Sequence, residues 1–565
     1  MPSRIKRSGL LIPLCLMAGL LMASGACEYP VEQHAMDTLA AGDTVSLAVM
    51  ATSDVHGRVR AWDYYRDRED PAYALSKVAT LVDSIRSVHE HHLLLDAGDF
   101  LQGNPFAEYF ALHDPRQRHY PFLQVADHMN YDAIVLGNHE FNFGLDYLNR
   151  QIGQTRTPVL GANVYHHDTE RPAYPPYIVV DRAGMRIAVV GVTTPGSAVW
   201  DRPRVEGVLD FGDGVEAARR FVSEVREEHG AELVIILAHT GLDGSTSYHV
   251  DEVGEENFGR AIAEQVPGAD LVVLGHTHRA IDDMVLEGAD GRNVGVIQPG
   301  RWASHLGMAG LKVTREADGN ISVADMYTRN LPVEGVDEHP EIVELIREAH
   351  QAVVDFVTEP VAHTEDHWTA EESRRKDTPI IDLIQTVQKE ETGAQLSVAS
   401  AFNTSVEFGP GAISRGDIAL LYPYFNTLYK LEITGGQIRQ FLEYTSRYYL
   451  SETDEQGRPV TNSGWPGFNF DLLAGMEYVL DLSNEPGDRL TTLRYEGQPV
   501  SDEDRFTIAV NSYRAEGGGS FDMLEDATVL MEIDRSVGDM ILDYLQDKEQ
   551  IRHEDVFFEN WHLVY

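Results

Sequence analysis

Six short apolar runs recur through the first half of the chain, at 47–50, 93–95, 133–136, 187–190, 233–237 and 271–274. They are rich in β-branched residues and leucine and are bounded by Gly, Asp or Asn. Runs of this length, apolar at successive positions, predict strands buried on both faces. Between them the period shifts to that of a helix, as over 74–88 and 214–228. Strand alternating with helix predicts α/β layers. Residues 340–357 read as one amphipathic helix. Pro340 suits its first turn, and Ile342, Leu345, Ile346, Ala349, Val353 and Val354 form its apolar stripe. That helix is either a connector between two regions or an ordinary packed helix of one of them. From about 362 onward, helices and strands mix again, with aromatic and Gly-rich loops at 422–426 and 511–519.

The 565 residues suffice for two large domains, and 43% hydrophobic with 24% charged positions is ordinary for a globular chain. A targeting segment opens the sequence. Arg4, Lys6 and Arg7 precede an apolar stretch over 10–21, followed by Ser24, Gly25 and Ala26. The expected organisation is a signal over 1–26, a spacer over 27–44, a first domain over 45–335, a linker helix over 336–361 and a second domain over 362–565. The protein is expected outside the cytoplasm, in the periplasm or at the cell surface, and as a monomer. Cleavage after Ala26 leaves Cys27 first, where bacterial lipoproteins carry lipid, although Ser24 stands where such signals usually place Leu. A lipid on Cys27 is the one membrane attachment the sequence offers; an incidental Cys27 is the other reading. Cys15 lies inside the signal, so the remaining chain forms no internal disulfide.

Five of the runs close in potential metal ligands: Asp54-Val55-His56, Asp99, Asn138-His139-Glu140, His239 and Gly275-His276-Thr277-His278. Carboxylate, imidazole and carboxamide groups without thiolate suit Mn, Zn, Fe or Co. Singly each cluster is weak, since Asp-x-His after a strand is often a capped turn. Together, at successive strand ends, they predict a two-metal site along the carboxyl edge of an open sheet. The formal net charge of −45 repels polyanions and argues against long nucleic acid. It does not argue against small nucleotides, because a local metal charge overrides a distant field.

The set Asp54-x-His56, Gly98-Asp99, Gly137-Asn138-His139-Glu140, His239 and Gly275-His276-x-His278 resembles the calcineurin-like metallophosphoesterases. The second half resembles the 5′-nucleotidase C-terminal domain. The resemblance implies an α/β fold: a four-layer α/β/β/α first domain joined by the linker helix to an α+β second domain. It implies that Asp99 bridges two divalent metals, with Asp54, His56 and His278 on one and Asn138, His239 and His276 on the other. Paired divalent ions acidify water and neutralise phosphoryl oxygens. His139 is implied to face the phosphate, with a structural imidazole as the alternative. Glu140 is expected to orient a ligand or pack its turn.

The substrate rests on finer features. Secreted 5′-nucleotidases of this family carry an Asp three residues after the catalytic His, and here the position is Asn142. Segments 137–148 and 61–65 look more like the periplasmic 2′,3′-cyclic-nucleotide 2′-phosphodiesterase/3′-nucleotidases. A neutral amide lends the neighbouring imidazole no charge. The stretch 400–405 has none of the arginines with which 5′-nucleotidases grip a terminal phosphate. Arg374, Arg375 and Lys376 either supply charge nearby or form a solvated loop. Tyr424 and Tyr513 align with the family's base-stacking pair, and core packing is their other reading. Asn426 is placed for a base edge, and Gly517, Gly518 and Gly519 for close backbone approach to the nucleoside. The expected activity is hydrolysis of 2′,3′-cyclic nucleotides to 3′-nucleotides and then to nucleosides. A 5′-nucleotidase or nucleotide-sugar hydrolase is the nearest alternative, and a non-catalytic surface binding protein is the alternative from another class.

Overall fold

The computed structural model describes residues 39–114, 116–248, 253–524 and 527–565. The signal over 1–26, Cys27 and the spacer as far as residue 38 lie outside the described residues. Twelve strands of the first half, in chain order, form two sheets. They are β1 (Thr44–Thr52), β2 (His92–Asp96), β3 (Ala133–Val135), β4 (Val159–Leu160), β5 (Tyr177–Arg182), β6 (Met185–Thr193), β7 (Leu233–His239), β8 (Leu271–Leu274), β9 (Ala280–Glu287), β10 (Asn293–Pro299), β11 (His305–Arg315) and β12 (Ile321–Pro332). One sheet runs β12-β11-β1-β2-β3-β4 and the other β9-β10-β8-β7-β6-β5. β1 to β4 run parallel to one another, as do β6, β7, β8 and β10, so each sheet presents a carboxyl edge; β11 joins β1, β5 joins β6 and β9 joins β10 antiparallel.

Alternation along the strands explains the layers. Leu47, Val49, Leu93 and Leu95 meet Ile187, Val189, Leu233 and Ile235 in a core between the two sheets. The opposite side chains of the first sheet, Ala48, Met50 and Leu94, share a core with helices Leu75–Arg86 and Pro121–Met129. Those of the second, Ala188, Val190, Val234 and Ile236, pack on helices Gly214–Glu227 and Gly259–Gln265. The order is α/β/β/α, and central strands covered on both faces read as continuously apolar.

The segment 340–357 is two helices, Pro340–Leu345 and Arg347–Val357, broken at Ile346, whose φ is −105° and ψ 12°. Ile342, Ile346, Ala349 and Val353 are buried in the helix-side core of the first sheet. The break turns Leu345 outward, leaving it 41% exposed rather than in the stripe. Beyond it, β13 (Leu396–Ser400), β14 (Leu428–Thr434), β15 (Asp471–Ala474), β16 (Arg505–Asn511) and β17 (Thr528–Ile533) form a sheet of order β15-β13-β16-β14-β17. Its pairings are antiparallel except β13 with β16. It shares a core with helices Pro379–Thr392 and Val537–Lys548, an α+β arrangement. Among the described residues no helix is long and apolar enough to cross a membrane.

Candidate metal centre

The ligand clusters meet where the carboxyl edges of the two sheets converge. Asp54 and His56 follow β1, Asp99 follows β2, Asn138 follows β3, His239 ends β7, and His276 and His278 follow β8. Five of these seven residues have left-handed backbone: Asp54 (φ 50°), His56 (48°), Asp99 (61°), His276 (71°) and His278 (60°). Asp and His tolerate this region better than most residues, at a cost of order 1 kcal/mol each. The loops hold one another there. Asp54 N–H donates to Gly98 O, and His56 N–H to Asp99 O, both at 2.9 Å. Gly98 and Gly137 permit the contact of the β2 and β3 loops. A Cβ on Gly98 would lie 2.7 Å from Gly137 N, and one on Gly137 2.2 Å from Asp99 Oδ1.

Glu140 pins this crossing. Fully buried, it accepts backbone N–H groups from Asp99 (2.9 Å), Phe100 (2.8 Å), Leu101 (3.0 Å) and Gly137 (2.6 Å). Asp99 Oδ1 in turn accepts His139 N–H at 2.8 Å. Its Oδ2 points among three imidazoles, 3.1 Å from His239 Nε2 and 4.0 Å from Nε2 of both His56 and His139.

The donor set fits divalent cations. His239 Nδ1 donates to Ala97 O at 2.6 Å, which leaves Nε2 as the nitrogen directed at the cluster. Nε2 faces two acceptors, Asp99 Oδ2 and Asn138 Oδ1, each at 3.1 Å. Asn138 Oδ1 also lies 2.9 Å from His276 Nδ1, and His276 Nε2 donates to Glu256 Oε1 at 2.8 Å. A proton satisfies one such contact, whereas a cation satisfies them all. On the other side His56 Nδ1 donates to Gln102 O at 2.7 Å, and its Nε2 looks toward Asp54 and His278. Here Arg301 donates to His278 Nδ1 at 3.2 Å, which puts the ring proton on Nε2, 2.9 Å from His56 Nε2. Ligation through that nitrogen requires His278 to release its proton. Ligand atoms of Asp54, His56 and His278 all lie within 4.8 Å of one another, and so do those of Asp99, His239 and His276.

The electrostatics is that of buried anions and imidazoles. Burial pushes Asp54 up to about 8 against the pull of His239. Burial acts likewise on Asp99, but the His239, His139 and His56 imidazoles outweigh it and hold Asp99 well below the usual carboxylate range. Burial disfavours charge on His239, yet Asp99 lifts it to about 10. Burial drops His56 to about 4. It also opposes ionisation of Glu256, but the His276 bond prevails and holds Glu256 below its usual range.

A cavity of about 310 Å³ opens beside this cluster and draws its walls from both halves of the chain. Asn138, His139 and His276 face it from one side, and Tyr424, Asn426 and Tyr513 from the other. Tyr424 is 40% exposed and packs edge-on against Phe402. Asn426 Nδ2 points to Tyr422 OH at 3.4 Å, leaving its oxygen free of that bond. Tyr513 and Arg514 line the cavity, and Gly517 and Gly518 follow them without lining it. Gly518 is instead needed by Tyr513: a Cβ there would lie 2.4 Å from Tyr513 O and 2.6 Å from its ring. Arg374 is not a loose loop charge either, since it donates to Ala401 O at 2.7 Å and lies over the Tyr448 ring. The sequence reading passed over Glu256 behind His276, Asp201 behind Asn142, and Trp200, whose ring stacks on His276 at 5.7 Å. These are isolated residues in acidic or aromatic surroundings, and no spacing marks them.

Two stacked α/β layers with His, Asp and Asn converging at a shared strand edge define a phosphoesterase that uses divalent metal. Residues 47–280 match the calcineurin-like phosphoesterase family, and 360–526 match the 5′-nucleotidase C-terminal domain; the two matches together mark the chain as a hydrolase. It is 28% identical to the trifunctional nucleotide phosphoesterase of Bacillus subtilis over 90% of its own length, which is 38% of that longer protein. It is also 28% identical to the 2′,3′-cyclic-nucleotide 2′-phosphodiesterase/3′-nucleotidase of Salmonella typhimurium, across 84% of this chain and 82% of that one. The crystal structure of a 5′-nucleotidase precursor from Thermus thermophilus superposes with a TM-score of 0.66, at 22% identity, over 92% of this chain and 99% of that one.

Proposed function

We propose that the protein hydrolyses nucleotide phosphoesters with two divalent ions, favouring 2′,3′-cyclic nucleotides and then the 3′-nucleotides they yield. The observation that carries this reading is the shared cavity, which sets His139 and the ligand cluster opposite Tyr424 and Tyr513. Relatives named for that activity, similar over most of their length, support it. In this reading Asp54, His56 and His278 hold one ion, Asn138, His239 and His276 the other, and Asp99 lies between. Such ions, of Mn, Zn, Fe or Co, acidify water and neutralise phosphoryl charge. His139 contacts the phosphoester, holding a phosphoryl oxygen or passing a proton to the leaving oxygen. Tyr424 and Tyr513 stack on the base, and Asn426 meets its edge. A cyclic diester carries one negative charge, which agrees with a 400–405 loop that lacks arginine.

Residues 45–335 form the catalytic domain of this reading, 336–361 a connector, and 362–565 the base-binding domain. The basic, apolar and small residues at the start direct the chain to the periplasm or cell surface, with Cys27 as a site for lipid. The protein works as a monomer. The experiment is a substrate panel of 2′,3′-cyclic AMP, 3′-AMP and 5′-AMP with Mn, with and without chelator. Preference for the cyclic and 3′ esters is expected, and preference for 5′-AMP overturns the substrate assignment. Hydrolysis that survives Asp99→Asn overturns the two-metal mechanism.

A further inference from the structure

Asp201 follows the short helix Ser197–Trp200 and is 2% exposed, directly behind Asn142. Its Oδ1 and Oδ2 each accept Asn142 Nδ2 at 3.0 Å. Asn142 Oδ1 lies 2.6 Å from His139 Nδ1. Among the described side chains, Asn142 is the one that donates a hydrogen bond to the Asp201 carboxylate. Burial pushes Asp201 up to about 6, and the charge of Arg204 and the Asn142 bond offset it only in part, so the buried carboxylate is a poor device for stability. It is a good device for orientation.

The logic runs through donors and acceptors. An ionised carboxylate only accepts, so the amide must turn its NH₂ toward Asp201 and its oxygen toward His139. That oxygen also only accepts, so the proton of a neutral His139 must sit on Nδ1. Nε2, 4.0 Å from Asp99 Oδ2, is then the nitrogen turned to the cavity, through which His139 exchanges a proton with the phosphoester. Without Asp201 the amide is free to turn over. It then offers N–H to Nδ1, so Nδ1 can no longer hold its proton and Nε2 is no longer free both to take up and to release one.

We propose that Asp201 is a positioning residue that, through Asn142, fixes the tautomer and ring orientation of His139. The proposal rests on the reading that His139 serves the phosphoester. A direct His–carboxylate pair is replaced here by a three-member chain whose charge sits one residue farther back.

The test uses the full-length Mn-loaded enzyme and three chains: wild type, Asp201→Asn, and the swap Asn142→Asp with Asp201→Asn. The swap restores an acceptor against His139 Nδ1 and a donor behind it. In Asp201→Asn, kcat on 2′,3′-cyclic AMP is expected to fall about 10²-fold with KM nearly unchanged, as expected of a wrong tautomer. The swap is expected to recover most of that loss. Nitrogen spectra of ¹⁵N-histidine-labelled, metal-free protein supply the second readout. His139 Nδ1 is expected to be protonated in wild type and in the swap, and to lose that signature in Asp201→Asn. Wild-type kcat with an unchanged tautomer in Asp201→Asn overturns the proposal, as does a swap no better than the single variant. If Asp201→Asn does not fold, the swap decides by the same criteria. A wild-type enzyme inactive on every ester refutes the functional reading instead, and the spectra still decide the role of Asp201.

Discussion

Glu140→Gln is the sharpest probe of how the ligand loops are held. The two carboxylate oxygens of Glu140 divide four backbone N–H groups, from Asp99 and Gly137 on one and Phe100 and Leu101 on the other. Glutamine keeps one oxygen and turns the other into a donor that faces two donors. Hydrogen bonds to a charged acceptor contribute about 1.5–3 kcal/mol each, so losing two destabilises by about 3–6 kcal/mol. Burial, with Asp99 adding, pushes Glu140 up to about 7, so part of its charge is absent at neutral pH without metal. The lower end, about 3 kcal/mol, is therefore the expected loss for metal-free protein, equivalent to a fall of about 6–12 °C in the first domain's Tm. Because the same loop carries Asp99, Mn affinity should fall as well. Thermal melting in chelator and calorimetric Mn titration measure the two effects. A variant that melts within about 2 °C of wild type and binds Mn unchanged refutes the claim that Glu140 holds the loop.

Glu256→Ala removes the acceptor behind His276 and should weaken metal binding about 10–100-fold while leaving the melting of chelated protein nearly unmoved; unchanged affinity in a competition titration sinks that role. Tyr513→Ala should raise KM on nucleotides by about 5- to 150-fold, the equivalent of about 1–3 kcal/mol of stacking, and leave KM on a small aryl phosphate alone; equal effects on both would exclude base stacking. Asp382 is buried beside Asp377, and burial first, then the charge of Asp377, raises it from 3.8 to about 8. Between those values the native state keeps a proton that the unfolded chain has released, so this contribution to stability is full below about pH 4 and is lost as pH rises toward 8. Asp382→Asn should accordingly raise Tm over wild type at about pH 8.5 but not near pH 4, and an equal gain at both refutes the assignment.

Much of the first domain was legible because its central strands are covered twice. Segments such as 233–237 carry no polar alternation and end abruptly in ligands. The metal cluster was legible for a related reason: each ligand sits within a few residues of a strand end, so sequence proximity stands in for spatial proximity. Glu256 and Asp201 lack that advantage. Each acts on a group from a distant segment, His276 or Asn142, and a lone carboxylate in so acidic a chain carries no positional signal. Gly518 shows how one glycine signal admits two readings. Its lack of a Cβ is needed by the Tyr513 ring, a demand that spacing alone does not separate from one made by a ligand. Leu345 fits the helical period and still faces outward, because periodicity assumes an unbroken helix and this one resets at Ile346.

The cavity walls come from both halves of the chain, with His139 on one side and Tyr513 on the other. A substrate lodged there is a fastener between two bodies, and by mass action it contributes about 2.7 kcal/mol to their joined form at a hundredfold excess over Kd. In the proposed two-step reaction, opening the cyclic diester leaves that fastener whole, and only hydrolysis of the 3′-nucleotide cuts it in the middle. The nucleoside and the phosphate are then tied only to their own sides. That second step dissolves the link the substrate had made, and the enclosure resets without any outside signal.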